Sequence, residues 1–157
     1  MCLKKLIKLL EEKPALPSFE TFPVKVSAVK EMLESHGIEC MLKDKYVLAD
    51  YDFHYIKEED WLIALPYLTY PANFYVAELD IDCDDYSRWG SSDCSKLFKV
   101  NANLQCWGDT PYGYHAFSLA LTGANSFKIF EPNAGFPCAG QLMNKDNEYG
   151  WLPKSWK

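Results

Sequence analysis

One cysteine, Cys83, stands among four aspartates in the run Asp80-Ile81-Asp82-Cys83-Asp84-Asp85. Asp82 is a residue type that caps helices, so a helix carrying Cys83 at its first position is predicted. A helix N-terminus stabilises a thiolate through its unpaired amides and its dipole. A carboxylate about 6 Å from the sulfur opposes this by roughly 3 kcal/mol at an effective dielectric constant of about 20. A nucleophilic Cys83 therefore needs those charges neutralised, which a hard divalent cation bound by carboxylate oxygens would do.

A thiol nucleophile also needs an imidazole to hold its proton and a third polar group to orient that imidazole. His115 lies in the alternating segment 114–122, which predicts a strand, and Glu131 ends a second predicted strand over 126–131. A short turn separates these segments, so we expect them to pair antiparallel and to bring His115 beside Glu131. A purely structural interpretation of the same residues is the alternative: Cys83 would be an ordinary half-buried cysteine, His115 a sheet histidine and Glu131 a charge at a strand end.

The periodicity of apolar residues divides the chain into a helical first half and a sheet-forming second half, which predicts an α+β fold. Helices are predicted over 3–10, 28–36 and 58–67, with Ser27 as a cap, Gly37 as a left-handed stop, and Trp61, Leu62, Leu65 and Tyr67 facing inward. Strands or extended pieces are predicted over 38–41, 46–48, 51–55 and 97–107, and residues 14–23 are predicted to be extended or irregular. We expect N-terminal helices packed on a C-terminal antiparallel sheet.

Composition and charge exclude several classes of protein. The 157 residues, 48% of them hydrophobic, suffice for one globular domain with its own core. A formal charge of −6 with no cationic helix face argues against nucleic-acid and anionic-membrane partners. The first ten residues lack the continuous apolar core of a signal sequence, and no transmembrane segment is predicted. Six irregularly spaced cysteines without a Cys-x-x-Cys pair predict reduced thiols in a cytoplasm and no zinc site.

The acidic run differs from the EF-hand calcium loop. Asp80, Asp82 and Asp84 fall at loop positions 1, 3 and 5, but Asp85 occupies position 6, where glycine is needed. Position 12 is Ser91 in place of a bidentate glutamate. A cation at this run would need oxygens from elsewhere in the chain. Our candidates for these additional metal ligands are Asp50 and Asp52, with Glu78 less favoured.

Several segments together resemble a known family. These are residues 46–61, Asp82-Cys83-Asp84-Asp85-Tyr86, Gly113-Tyr114-His115-Ala116 and Phe130-Glu131-Pro132. They look like the small "lectin MOA-related" proteins of phage and bacterial genomes, which are similar to the C-terminal domain of the fairy-ring mushroom agglutinin. The resemblance spans residues 46–153 and leaves the first 45 uncovered. It implies a papain-like or transglutaminase-like core over 46–157, and the helices predicted before that core make residues 1–45 an N-terminal helical extension.

That agglutinin domain is a papain-like, calcium-dependent cysteine protease, and the resemblance carries its roles onto matching residues. Cys83 would be the nucleophile, His115 the general base and Glu131 the orienting third member, with Asn133 as the alternative third member. Asp82, Asp84 and Asp85 would be the candidate calcium ligands. The galactose-binding trefoil half of the mushroom protein has no counterpart here, so the family name implies no sugar binding. A phage-encoded member would act in the cytoplasm of its host cell.

The chain departs from the family pattern after Cys83, where the family continues with an apolar helix. Here the helix is polar, with Arg88, Gly90, Ser91, Ser92 and Asp93. Gly90 would allow close approach of a sheet, at a cost of about 1 kcal/mol in helix propensity. The length of this helix therefore decides how the candidate site is built.

The leading functional hypothesis is a calcium-assisted cysteine hydrolase, with a peptidase favoured and a peptide or protein as substrate. It would act through a Cys83–His115 pair and an acyl-thioester, with the oxyanion held partly by the Cys83 amide. A non-catalytic binding module is the first alternative, with Trp89, Trp107, Tyr112 and Tyr114 around an acidic cleft. A calcium-stabilised structural protein is the second. Acyl transfer of the transglutaminase kind uses the same residue order.

Overall fold

The chain alternates helices and strands, and two of its strands, over 22–25 and 152–156, were not predicted from the sequence. The structure is a computed structural model that describes residues 15–41 and 51–157. Its elements are β1 (Phe22–Lys25), α1 (Val26–Ser35), β2 (Glu39–Cys40), β3 (Asp52–Tyr55), α2 (Glu58–Ala64), α3 (Cys83–Asp93), β4 (Asn103–Thr110), β5 (Gly113–Gly123), β6 (Ser126–Phe130) and β7 (Leu152–Trp156). The predicted helix 3–10, the predicted strand 46–48 and Asp50 lie outside the described residues. None of the described helices combines the length and the apolar composition that crossing a bilayer requires.

Five strands form the main sheet, in the order β2-β7-β4-β5-β6. The pairs β7–β4, β4–β5 and β5–β6 are antiparallel, whereas the two-residue β2 pairs parallel with β7. A separate two-stranded sheet joins β1 to β3. The strands predicted over 114–122 and 126–131 are confirmed, and β5 and β6 pair as expected. The α+β fold class is thereby confirmed.

The predicted strand 97–107 is wrong in its first half. The helix that begins at Cys83 continues beyond Asp93 as a π-helical turn, Cys94–Phe98, and β4 begins only at Asn103. Lys99 then takes a left-handed conformation with φ +63°, which ends the helix. The apolar residues Leu97 and Phe98 therefore belong to a helix end packed on the core, which a short apolar run cannot distinguish from a strand.

Helix α1 begins two residues earlier than predicted, and Ser27 does not cap it. Lys25 occupies the cap position without a side-chain hydrogen bond, because β1 runs directly into the helix. The amide of Val26 instead donates to the carbonyl oxygen of Tyr51 at 3.2 Å. A neighbouring backbone segment thus replaces the side-chain cap. The predicted left-handed stop is confirmed, since Gly37 has φ +75°.

Helix α2 buries only part of the face that was predicted. Trp61 and Leu65 are fully buried, and the Trp61 Nε1–H group donates to the Leu121 carbonyl oxygen of β5 at 2.8 Å. Leu62 and Tyr67 are 59% and 40% exposed, so their predicted inward orientation is wrong. The buried stripe of this segment consists of Trp61, Ala64, Leu65 and Leu68 at helical spacing, and Leu62 and Tyr67 lie on either side of it.

The polar character of α3 is explained by how it packs on the sheet. The Ser87 and Ser91 hydroxyls donate to the carbonyl oxygens of Phe117 and Asn103, both at 2.7 Å. An added Cβ at Gly90 would lie 3.3 Å from two side chains of the sheet, so the predicted close approach is confirmed. Hydroxyl-to-carbonyl hydrogen bonds thus replace apolar contacts along this helix.

Candidate active site

The local sequence builds the helix start that carries the thiol. Asp82 caps α3, its carboxylate accepting from the Asp84 amide at 3.2 Å, and the Asp85 carboxylate accepts from the Asp82 amide at 3.3 Å. This reciprocal arrangement is a capping box built with aspartates. The predicted cap is confirmed, and Cys83 is the first residue of the helix. Its Sγ accepts a hydrogen bond from the Ala116 amide of β5 at 3.4 Å.

The sheet brings the predicted imidazole and carboxylate together. His115 Nε2 lies 2.9 Å from Glu131 Oε2, and both side chains are largely buried, being 11% and 1% exposed. Because Nε2 faces Glu131, Nδ1 is the ring nitrogen left to face the thiol of Cys83. The second carboxylate oxygen, Glu131 Oε1, accepts from the Asn133 amide at 2.6 Å. A thiol, an imidazole and an orienting carboxylate thus follow one another in space.

Electrostatics favours a charged imidazole. Burial alone would lower the pKa of His115, but the hydrogen bonds and negative charges of Cys83 and Glu131 raise that pKa to about 9. Burial raises the pKa of Glu131 above its ordinary value, and the hydrogen bond and positive charge of His115 oppose that rise. An imidazolium at His115 therefore stabilises negative charge on either side of it, including a thiolate at Cys83.

Two aromatic residues cover the imidazole and were not found from the sequence. The ring centroid of His115 lies 4.9 Å from that of Phe136 and 5.2 Å from that of Trp151. Trp151 is itself buried and packs on Phe117 of β5. These rings exclude water from the His115–Glu131 contact, which strengthens it. No local pattern marks them, because both come from the irregular chain after β6 and reach the site only through packing.

An open cleft of about 580 Å³ reaches the thiol and the imidazole. Tyr75 lines it on the side of the segment that precedes α3, and Tyr112, Tyr114 and Phe136 line it near the β4–β5 turn. Tyr112 and Tyr114 are more than 60% exposed. Among the described residues that line the cleft, none is a lysine or an arginine. The described lining of the cleft is therefore aromatic, and its one cationic group, the His115 imidazolium, is already paired with Glu131.

The other two aromatic residues that the binding-module hypothesis named lie elsewhere. Trp89 packs on Tyr70, Phe74 and Tyr86 on the outer side of α3. The Trp107 ring lies under the Lys157 ammonium group, 4.9 Å from the ring centroid. Tryptophans and tyrosines thus do not form one surface around the cleft.

The acidic residues next to Cys83 form one tight group. Single carboxylate oxygens of Asp82, Asp84 and Asp85 lie within 4.8 Å of one another. The hydrogen bond to Asp82 raises the pKa of Asp84, and burial is the next largest cause, because the carboxylates of these two residues lie close together. Arg88 contacts the outer oxygens, at 2.5 Å from Asp84 and 2.8 Å from Asp85. Carboxylate oxygens at this spacing suit a hard cation such as Ca²⁺.

The additional metal ligands that were predicted from outside the acidic run are not part of this group in the described residues. Asp52 lies in β3 and pairs with Lys25 at 2.8 Å, and Asp50 lies outside the described residues. Glu78 lies in the turn Ala77–Leu79 before α3 and is likewise not part of the acidic group. Among the described residues, the three aspartates of the α3 start are the only such metal-ligand group.

Comparison with known proteins gives a likeness of fold. No family model matches the chain, and no curated protein matches it. A solved structure, "PSL1a-E64 complex", is similar with a TM-score of 0.56 and 14% sequence identity. The likeness covers 85% of this chain and 50% of that one, so the chain spans about half the length of this neighbour. It shows that the α+β core has the papain-like fold.

Proposed function

We propose that this protein is a cysteine hydrolase that cleaves peptide bonds through Cys83, His115 and Glu131. The observation that carries the proposal is the contact between His115 and Glu131 at 2.9 Å, next to a cysteine at a helix N-terminus and open to a cleft. Nucleophile, base and orienting group stand in the order that thiol catalysis requires. The papain-like fold supports the same reaction class, although a fold by itself does not imply an activity.

In this mechanism the thiolate of Cys83 attacks the carbonyl carbon of the scissile bond. The oxyanion that forms is stabilised partly by the Cys83 amide at the helix N-terminus. The His115 imidazolium gives its proton to the leaving amine, which departs and leaves an acyl-thioester on Cys83. His115 then takes a proton from water as that water attacks the thioester carbonyl. The carbon–sulfur bond breaks, the peptide acid is released, and the Cys83 thiolate and His115 imidazolium are restored. Glu131 stabilises the imidazolium at both stages.

The cleft favours an extended peptide as substrate. Exposed aromatic side chains, Tyr75, Tyr112 and Tyr114, flank it, and they offer flat apolar surface together with hydroxyl groups. No lysine or arginine belongs to its described lining, and the charge of His115 is already paired with Glu131, so no free cation remains there to pair with phosphates or carboxylates of a substrate. The proposed substrates are therefore uncharged or cationic around the scissile bond.

We also propose that Asp82, Asp84 and Asp85 hold a calcium ion in the active protein. When bound, the ion would neutralise the carboxylates beside Cys83, whose charge otherwise opposes a thiolate. The close approach of the Asp82 and Asp84 carboxylates supports this assignment, because like charges at that spacing need a counter-charge. Arg88 supplies one such charge through its ion pairs with Asp84 and Asp85.

Labelling with E64, a thiol-directed epoxide, tests the proposed nucleophile. We expect a single adduct on Cys83, mapped by mass spectrometry of proteolytic fragments. Burial raises the pKa of Cys94 to about 12 and that of Cys138 to about 11, so these thiols serve as internal controls that stay unlabelled. Absence of label on Cys83, with the protein folded, would remove the hydrolase proposal and favour a binding module.

Removal of calcium tests the proposed metal site. We expect saturating calcium to stabilise the protein and chelation to lower its melting temperature, since 100 Kd of a ligand contributes about 2.7 kcal/mol. The shift should vanish in Asp84→Asn and persist in the matched control Asp52→Asn, because only Asp84 belongs to the acidic group. A calcium shift that Asp84→Asn leaves unchanged would place the ion elsewhere, and no shift in the wild type would exclude it.

A further inference from the structure

Both oxygens of the Glu131 carboxylate are occupied. Oε2 faces His115 Nε2 at 2.9 Å, and Oε1 accepts the Asn133 amide at 2.6 Å. Glu131 has no exposed surface, so water cannot replace either contact. Rotation of the carboxylate toward one partner would break its contact with the other. The Asn133 amide therefore fixes the plane in which the carboxylate meets the imidazole.

The Asn133 amide is itself held by its own side chain and by a neighbouring segment. Asn133 Oδ1 accepts from the Gly135 amide at 2.9 Å, which closes a tight turn. The Tyr70 amide donates to the Pro132 carbonyl oxygen at 2.7 Å, and the Ala134 amide donates to the Tyr70 carbonyl oxygen at 2.9 Å. We call this turn, with its backbone pairing to Tyr70, the clasp.

The clasp is also tied to the helix that carries the candidate nucleophile. The Tyr70 hydroxyl donates to Asp93 at the end of α3, at 2.9 Å. The Tyr86 hydroxyl, from the middle of α3, donates to the Pro71 carbonyl oxygen at 2.7 Å. One segment thus holds both the helix that begins with Cys83 and the chain that follows β6.

We propose that Asn133 is a positioning residue, whose side chain holds the turn that orients Glu131 toward His115. The expected effect of Asn133 on catalysis rests on the proposed hydrolase function. Its expected effect on the orientation of Glu131 and His115 does not depend on that function. Asn133 is almost fully buried, and its side-chain oxygen Oδ1 accepts a hydrogen bond from the Gly135 amide instead of contacting the imidazole. It therefore acts through Glu131 and its own backbone amide, without taking the place of Glu131 as third member.

The effect of Asn133 can be followed as a proton equilibrium at His115. The titratable groups that face this imidazole are Cys83 from α3 and Glu131 from the end of β6, and the rings packed on it, Phe136 and Trp151, carry no charge. When the carboxylate of Glu131 is well oriented and ionised, it stabilises the imidazolium. A loosened turn weakens that contact, so the pKa of His115 should fall.

The test is the titration of the His115 ring by NMR in the wild type and in Asn133→Ala. We expect the midpoint to fall by about one pH unit, with kcat lowered about tenfold and KM unchanged. His115→Gln assigns its signal among the three histidines of the chain. Asn133→Leu keeps the side-chain volume and also removes the acceptor, so it serves if the alanine variant does not fold.

Rescue by Asn133→Ser is the control, because serine restores an acceptor for the Gly135 amide without adding charge. We expect its midpoint and kcat to return toward the wild-type values. An unchanged midpoint in Asn133→Ala, with a raised KM, would overturn the proposal and make Asn133 a substrate contact. If the wild type hydrolyses nothing, the hydrolase function fails, but the midpoint shift still decides whether the clasp orients Glu131.

Discussion

A Cys83→Ala variant is expected to lose peptide hydrolysis by about 10⁴-fold or more while keeping its fold. The attacking sulfur is absent from this variant, and neither the imidazole nor the carboxylate can replace it, since both are buried and hydrogen-bonded to each other. Stability should change by less than about 1 kcal/mol, because Cys83 is only half-buried and the hydrogen bond that its Sγ accepts from the Ala116 amide is long, at 3.4 Å. Turnover of a peptide pool, followed by mass spectrometry, and a thermal melt measure the two quantities.

Cys138→Ala is the matched control for this variant. It removes a second thiol, one that is fully buried in the core. We expect it to keep full activity and to lose some stability through the small cavity it leaves. Equal hydrolysis by Cys83→Ala and the wild type would show that the cleft does not use this thiol. Loss of activity in both variants would indicate a general effect of packing on the site.

A Gly108→Ala variant is expected to lose about 3 kcal/mol of unfolding free energy or more, which is the largest stability effect we predict. Gly108 lies in β4 at the point where its pairing with β7 shifts register. A Cβ there would collide with the carbonyl oxygen of Leu152 and lie 2.9 Å from the Pro153 Cα. Backbone atoms cannot rotate away, so β7 would have to separate from β4. Urea denaturation measures the loss.

Gly123→Ala provides a control in the same sheet, at the other register shift. The Cβ added there would meet the Ser126 hydroxyl at 2.5 Å. That oxygen ends a side chain that can rotate, so we expect a change within about 1 kcal/mol. If Gly108→Ala is no less stable than Gly123→Ala, the close β4–β7 approach at Gly108 is incorrect.

Much of the candidate site could be predicted because its parts follow from short-range rules. The capping position of Asp82 comes from a side chain that accepts amides two or three residues later, and it places Cys83 at the helix start. The pairing of β5 with β6 follows from two alternating segments joined by a short turn, and it places His115 near Glu131. Each of these features depends on fewer than twenty consecutive residues.

The remaining features could not be predicted, because they depend on contacts between distant parts of the chain. Trp151 reaches His115 from the segment before β7, and no pattern around it indicates that contact. Leu62 was expected in the core but is exposed, because the face of α2 that packs on the sheet is the one that carries Trp61 and Ala64. Asp52 was expected to bind metal, and its placement beside Lys25 follows from the pairing of β1 with β3.

The α+β class, the helix that begins at Cys83 and the strands that carry His115 and precede Glu131 follow from the amino-acid sequence. Caps, turns and apolar periodicity specify these features, and they act between residues close in the chain. The contacts of Glu131, with His115 at one carboxylate oxygen and with the Asn133 amide at the other, arise only in the folded protein. The tertiary structure also decides which rings cover the imidazole and how α3 packs on β5, because side-chain burial is a property of the whole packed core.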